Sequence, residues 1–195
     1  MSLINFNLFN SQPTENQQST TAYKKNTVLA GIAKMTSVGN ELDKVKEHLG
    51  EIQPNAVVNF WTNGRYTMAG VVEYVIQQIG AVDVVACTWA VSKPAVETLL
   101  RLDDRGLIKS FRLWIDPRVK VRSPEPMTML KMRWEDSIVI APVHAKVTCL
   151  ANEDWKVSIF GSLNFTTSPQ PERGAVCTVP EIWKNDIEVI MRQFN

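Results

Sequence analysis

Residues 56–116 read AVVNFWTNGRYTMAGVVEYVIQQIGAVDVVACTWAVSKPAVETLLRLDDRGLIKSFRLWID, and their pattern decides the fold. Residues 56–61 are a short apolar run closed by the turn pair Asn63-Gly64, which reads as a strand. Thr67 stands where a helix cap belongs. Behind it Val71, Val72, Val75, Ile76 and Ile79 share one helical face, and Gly80 ends the pattern. Residues 82–91 are β-branched and continuous, as in a strand covered on both faces. Ser92 caps a second predicted helix, with Val96, Leu99 and Leu100 inside and Arg105-Gly106 at its end. Residues 110–116 form a third strand, stopped by Pro117. This strand–helix alternation predicts right-handed crossovers and an α/β fold, a mixed, largely parallel sheet with helices packed on it.

Outward from that stretch the signals are shorter. Residues 117–135 make an excursion with a helix around 127–134. Residues 138–141 and 144–150 read as strands, Asn152-Glu153-Asp154 as a turn, and 157–160 as the returning hairpin partner. A last strand near 175–179 leads into a helix from about 181 to 192. Upstream, residues 1–26 are rich in Asn, Gln, Ser and Thr with little to bury, which reads as a flexible tail. Residues 27–49 carry Val28, Leu29, Ile32, Leu42, Val45 and Leu49 and predict a helix or two. The expected organisation is thus a tail with a short helical extension over 1–50, open to an unknown partner, and one domain over 51–195.

Of the 195 residues 45% are hydrophobic and 21% charged, the balance of a soluble globular protein with a core. With 21 basic and 20 acidic side chains the formal charge is +1, so charge alone would not hold a long polyanion. Any nucleic-acid role needs a local patch. The three cysteines, Cys87, Cys149 and Cys177, lie in apolar contexts with no CxxC pair, and read as buried thiols in a reducing compartment. The sequence shows no signal peptide and no apolar run of membrane-spanning length, so a cytoplasmic protein without a membrane is expected.

The chemistry concentrates downstream. His144-Ala145-Lys146 is followed at hairpin distance by Gly161-Ser162-Leu163-Asn164 and then Glu172. Residues two apart on a strand face the same way, so His144 and Lys146 would point together near the strand's start. The turn after Gly161 would return Ser162 and Asn164 to the same region. A lysine charge with hydroxyl and carboxamide donors suits a phosphate. Histidine titrates near pH 6.5 and serves as nucleophile or proton donor. Glu172 could hold the other ring nitrogen and stabilise its positive charge.

HxK followed by GSxN resembles the phospholipase D superfamily, and specifically its small, single-motif endonucleases. The similarity spans roughly residues 56–195 and includes Arg105-Gly106-Leu107 before a strand ending in Asp116. The resemblance implies a phospholipase D-like domain and a metal-independent phosphodiesterase that needs no cofactor. His144 would attack phosphorus to form a phosphohistidine. Lys146, Asn164 and Ser162 would bind the non-bridging oxygens, and a second histidine would protonate the leaving oxygen. The only other histidine, His48, has no lysine two residues on, so a homodimer pairing two His144 side chains is expected. The expected substrate is nucleic acid, DNA rather than RNA. A phospholipid head-group hydrolase or transferase, and a catalytically lapsed scaffold, are the alternatives. The family's HxKx4D pattern would place an acid at 151, where this chain has Ala151.

The remaining features read more plainly. His48 fits a solvated helix residue or a partner of a helix C-terminus. Lys109, Arg112, Arg118, Lys120, Arg122, Lys131 and Arg133 form a basic stretch, in which alternation from Arg118 to Arg122 could line three cations along one edge. It reads either as solvated surface or as a phosphate-backbone track. The six tryptophans, Trp89 among them, read as core or interface.

Overall fold

The computed structural model describes residues 41–194. In chain order they form α1 (Glu41–Leu49), β1 (Val57–Asn63), α2 (Met68–Ile79), β2 (Val82–Thr88), α3 (Lys93–Asp104), β3 (Ile108–Ile115), α4 (Val119–Arg122), α5 (Pro124–Trp134), a 3-10 turn (Glu135–Ser137), β4 (Ile138–Ile140), β5 (Val147–Ala151), β6 (Lys156–Gly161), β7 (Pro171–Cys177) and α6 (Pro180–Met191). The expected tail and the helical signals over 27–40 lie outside the described residues. Residues 41–49, expected to belong to an extension, form α1, and Val45 and Leu49 enter the main core.

The local signals produce the elements for physical reasons. Thr67 Oγ1 accepts the Gly70 amide and caps α2, whose Val71, Val72, Val75, Ile76 and Ile79 are all buried. Gly80 ends α2 with a positive φ of +83°, which favours glycine. Ser92 begins α3 but makes no side-chain cap. Its hydroxyl instead donates to the Phe165 carbonyl, which ties the start of α3 to the loop after β6.

The sheet is mixed, in the order β1-β7-β6-β5-β2-β3-β4. Five strands run one way and β5 and β7 the other. Because these two are interleaved, only β2–β3 and β3–β4 are parallel neighbours. The β1–β7, β7–β6, β6–β5 and β5–β2 pairs are antiparallel. β1 therefore does not lie beside β2, although α2 alone connects them. Short hairpin links can supply antiparallel neighbours, and the β5–β6–β7 meander fills the gap between β1 and β2.

Alternation along the strands divides the core in two. Val84, Ala86, Leu150 and Ile159 face a large cluster with α1, α2, α3 and α5. Cys87 and Cys149 face the opposite way and meet α6 through Ile190, Trp183 and Ile187. All three cysteines are unpaired and buried. Burial pushes the Cys87 thiol up to about 11 and that of Cys149 to about 12.

Three expectations are corrected. The Arg118–Arg122 alternation does not make a strand edge. The Asp116 carboxylate accepts the Arg118 amide, and the chain winds into the short helix α4, with Val119 buried and Val121 86% exposed. The strand predicted from 144 starts at Val147, so His144 and Lys146 stand in the extended segment leading into it. His48 is not solvated. It is 7% exposed, its Nδ1 lies 2.7 Å from the Tyr66 hydroxyl, and the rings meet edge to face. Burial, helped by the Arg65 charge, lowers its pKa from the ordinary histidine value.

Candidate active site

β2, β3, β4 and β6 all end at one edge of the sheet, and the antiparallel β5 and β7 begin there. In open α/β sheets this carboxyl edge, where neighbouring connections diverge, is the place ligands bind. The segments crossing it carry Trp89, Asp116, His144, Lys146, Ser162, Asn164 and Glu172.

The His144 segment is held on both sides. Ala141 donates its amide to the Ile115 carbonyl at 3.1 Å and accepts the Trp114 indole N–H at 3.1 Å. The Val143 amide reaches the Asp116 carboxylate at 3.4 Å, and the Lys146 carbonyl accepts the Gly161 amide at 3.2 Å. His144 itself is exposed, whereas Lys146 is only 8% exposed. The Lys146 ammonium donates to the His144 carbonyl at 2.6 Å and stands 3.4 Å from His144 Nε2. Nε2 is the ring nitrogen turned toward that charge. Burial pushes the Lys146 pKa below the usual amine value, while the Glu172 charge pulls it back up.

Asn164 reaches the site from the other side. Its carboxamide oxygen accepts from the Thr88 hydroxyl and the Trp89 amide, both at 3.3 Å. With that oxygen occupied, the NH₂ end is left to donate to a ligand. The Asn164 carbonyl also accepts the Met68 amide at 3.3 Å, fixing the loop to the start of α2. The Trp89 ring in turn lies 6.2 Å from the His144 ring, tilted by 60°.

Ser162 and Glu172 form a unit of their own. The Ser162 hydroxyl donates to the Glu172 carboxylate and accepts the Arg173 amide at 3.1 Å. The sequence reading gave Ser162 to a phosphate and Glu172 to the imidazole. Here the serine proton goes to the glutamate, and the glutamate meets the site through Ser162 and through the charge of Lys146. Gly161 makes this possible. Its φ is +155°, and a Cβ there would stand 2.2 Å from the Arg173 carbonyl oxygen.

Thr88, Trp89 and Asp116 were not singled out as site residues from sequence. The signal of these three is positional, since each lies at or just beyond the carboxyl end of β2 or β3. Ala151 ends β5, so it lies roughly 16 Å from Lys146 along an extended chain. The missing carboxylate there does not touch the site. Among the described residues no three His, Cys, Asp or Glu side chains gather as a metal-holding group, and no helix is long and apolar enough to cross a membrane.

A mixed seven-stranded sheet between helices, with a His-Lys pair at its carboxyl edge, defines the class: this chain has the fold of the phospholipase D family. Nuc from Salmonella typhimurium, a phospholipase D family member, shares 16% identity over 72% of this chain and 94% of its own, with a TM-score of 0.50. NucT from Helicobacter pylori shares 10% over 71% and 96%, with a TM-score of 0.52. At these identities the common property is the fold. No protein-family model matches the sequence, and no curated protein does.

Proposed function

We propose that this protein is a phosphodiester hydrolase that cuts nucleic acid, DNA first, without a metal, through a phosphohistidine on His144. The observation that carries the reading is the contact of the Lys146 ammonium with His144 Nε2, with Asn164 held by Thr88 and Trp89 at the same edge of the sheet. In the first step the Nε2 lone pair attacks phosphorus and the bond to the leaving oxygen breaks. Lys146 Nζ and the Asn164 NH₂ stabilise the charge on the non-bridging oxygens. The leaving oxygen takes a proton from a second imidazole. Water then attacks the phosphohistidine, gives up a proton to that second imidazole, and frees His144.

The second imidazole is the partner's His144 in a symmetric dimer. Support comes from His48, the one other histidine, which is committed to Tyr66 in the core. Glu172 acts from behind, holding Ser162 and sustaining the charge of Lys146. Three unpaired thiols favour a cytoplasmic setting for this chemistry.

The test is cleavage of plasmid DNA and of bis-p-nitrophenyl phosphate in excess EDTA, wild type beside His144→Ala. Wild-type activity should survive the chelator, and the variant should lose at least about 10³-fold, as expected when a nucleophile is removed. Cleavage that persists in His144→Ala, or that EDTA abolishes, would sink the reading. Turnover of phosphatidylcholine vesicles in place of DNA would assign the site to a lipid.

A further inference from the structure

The basic stretch over 109–133 does not act as one patch. Arg133 is paired with Asp103 and with Asp104, Lys131 lies 4.0 Å from Glu135, and Arg112 rests over Phe194. Elsewhere Arg101 is taken by Glu73 and Lys93 by Glu125. Two members of the stretch behave differently. The guanidiniums of Arg118 and Arg122 both lie over the Trp89 ring, at 4.8 and 5.0 Å from its centroid.

A guanidinium over an indole is held by its attraction to the ring face, which leaves its N–H groups free to bond. Arg118 spends part of these on the buried Asp116, to which it donates through Nε and a terminal nitrogen at 2.7 and 3.0 Å. Arg122 has no acidic partner among the described residues. Its charge is held beside the site by the ring alone.

The same ring lies 6.2 Å from the His144 imidazole, so both guanidinium centres fall within about 11 Å of it. A strand covers that reach in about three stacked nucleotides, at about 3.4 Å of rise each. We infer that Arg118, Trp89 and Arg122 form a second-phosphate subsite, which grips a phosphate up to about three nucleotides along a polynucleotide strand from the one His144 attacks. Arg118 positions the subsite through Asp116, and Arg122 supplies its uncompensated charge. The subsite makes a strand with several phosphates a better substrate than an isolated diester. The inference rests on the proposed phosphodiesterase reading for which phosphate is cut, and on the geometry around Trp89 for how a second one is held.

The experiment compares kcat/KM on a single-stranded oligodeoxynucleotide and on bis-p-nitrophenyl phosphate, using full-length wild type, Arg122→Gln and Arg122→Lys. The ratio of the two substrates should fall about tenfold in Arg122→Gln, the worth of one charge-assisted hydrogen bond. The oligonucleotide's salt slope should become shallower by about one. Arg122→Lys, which keeps the charge, should recover part of the ratio. An unchanged ratio, or an equal loss on both substrates, would overturn the subsite. A parallel arm measures fluorescence polarisation of a labelled oligonucleotide in the His144→Ala background, with and without Arg122→Gln. If wild type cuts neither substrate yet Arg122→Gln weakens this binding, the hydrolase reading fails and the subsite stands. Equal binding overturns the subsite. So does an Arg122-dependent binding of phosphatidylglycerol vesicles in place of the oligonucleotide.

Discussion

Lys146 has opposing influences on its charge, and they set a loss of activity at alkaline pH above the one that the proton-donating imidazole imposes. Burial disfavours the ammonium and lowers its pKa, and the Glu172 carboxylate is the first of the groups that raise it. Replacing the carboxylate in Glu172→Gln removes that support, so the pKa falls further and the ammonium is lost at lower pH. The proton-donating second imidazole sets the first alkaline fall of kcat/KM, and loss of the Lys146 ammonium adds a further limb above it. That upper limb should move toward neutrality in Glu172→Gln, while Lys146→Arg, with a group that does not deprotonate, should lack it. The glutamine substitution also alters what the Ser162 hydroxyl donates to, so the magnitude of kcat falls as well, but the position of the upper limb reports Lys146. A full pH–rate profile of the two variants checks this. An unmoved upper limb in Glu172→Gln would show that the glutamate serves only to hold Ser162.

The turn from β6 to the site is where backbone geometry constrains the chemistry most. Gly161 pairs with Gly174 across the β6–β7 ladder, and the close approach of Arg173 is what puts its amide and carbonyl in reach of Ser162. A methyl at 161 would meet the Arg173 carbonyl oxygen at 2.2 Å, too near for any side-chain shift to relieve. Gly161→Ala should cost about 2–4 kcal/mol, from overpacking and a disfavoured φ together, read as a lower urea midpoint. Activity should drop even at temperatures where the variant stays folded, since Ser162 and Glu172 move with the ladder. This element also shows what a sequence can tell. α2, α3 and α6 were legible because caps, glycine stops and apolar faces are local. The neighbours of β1 were not, because pairing with β7 joins residues 57 and 177, a choice made by the whole sheet. The His, Lys, Ser, Asn and Glu of the candidate site were legible as residue types. Their partners were not, because whether Glu172 takes a serine or an imidazole depends on a few ångströms at a strand crossing.

At the scale of the whole molecule, one chain carries one His144 and encloses its other histidine between α1 and Tyr66. A two-histidine displacement then makes the active unit larger than the chain, and the stoichiometry of inactivation reports this directly. In a symmetric dimer with a composite site, any dimer that contains a His144→Ala chain lacks either the nucleophile or the proton donor. When wild type is mixed with an equal amount of His144→Ala and subunits exchange, about half of the wild-type chains end in mixed dimers. Activity should fall to about half that of the same wild-type chains alone, and continue to fall as the variant is added in excess. A mixture that keeps full activity, with exchange verified by differently tagged chains, would show that each chain works by itself. The second proton donor would then be some other group at the carboxyl edge of the sheet. Lys146, whose burial already favours giving up a proton, would be the first to replace.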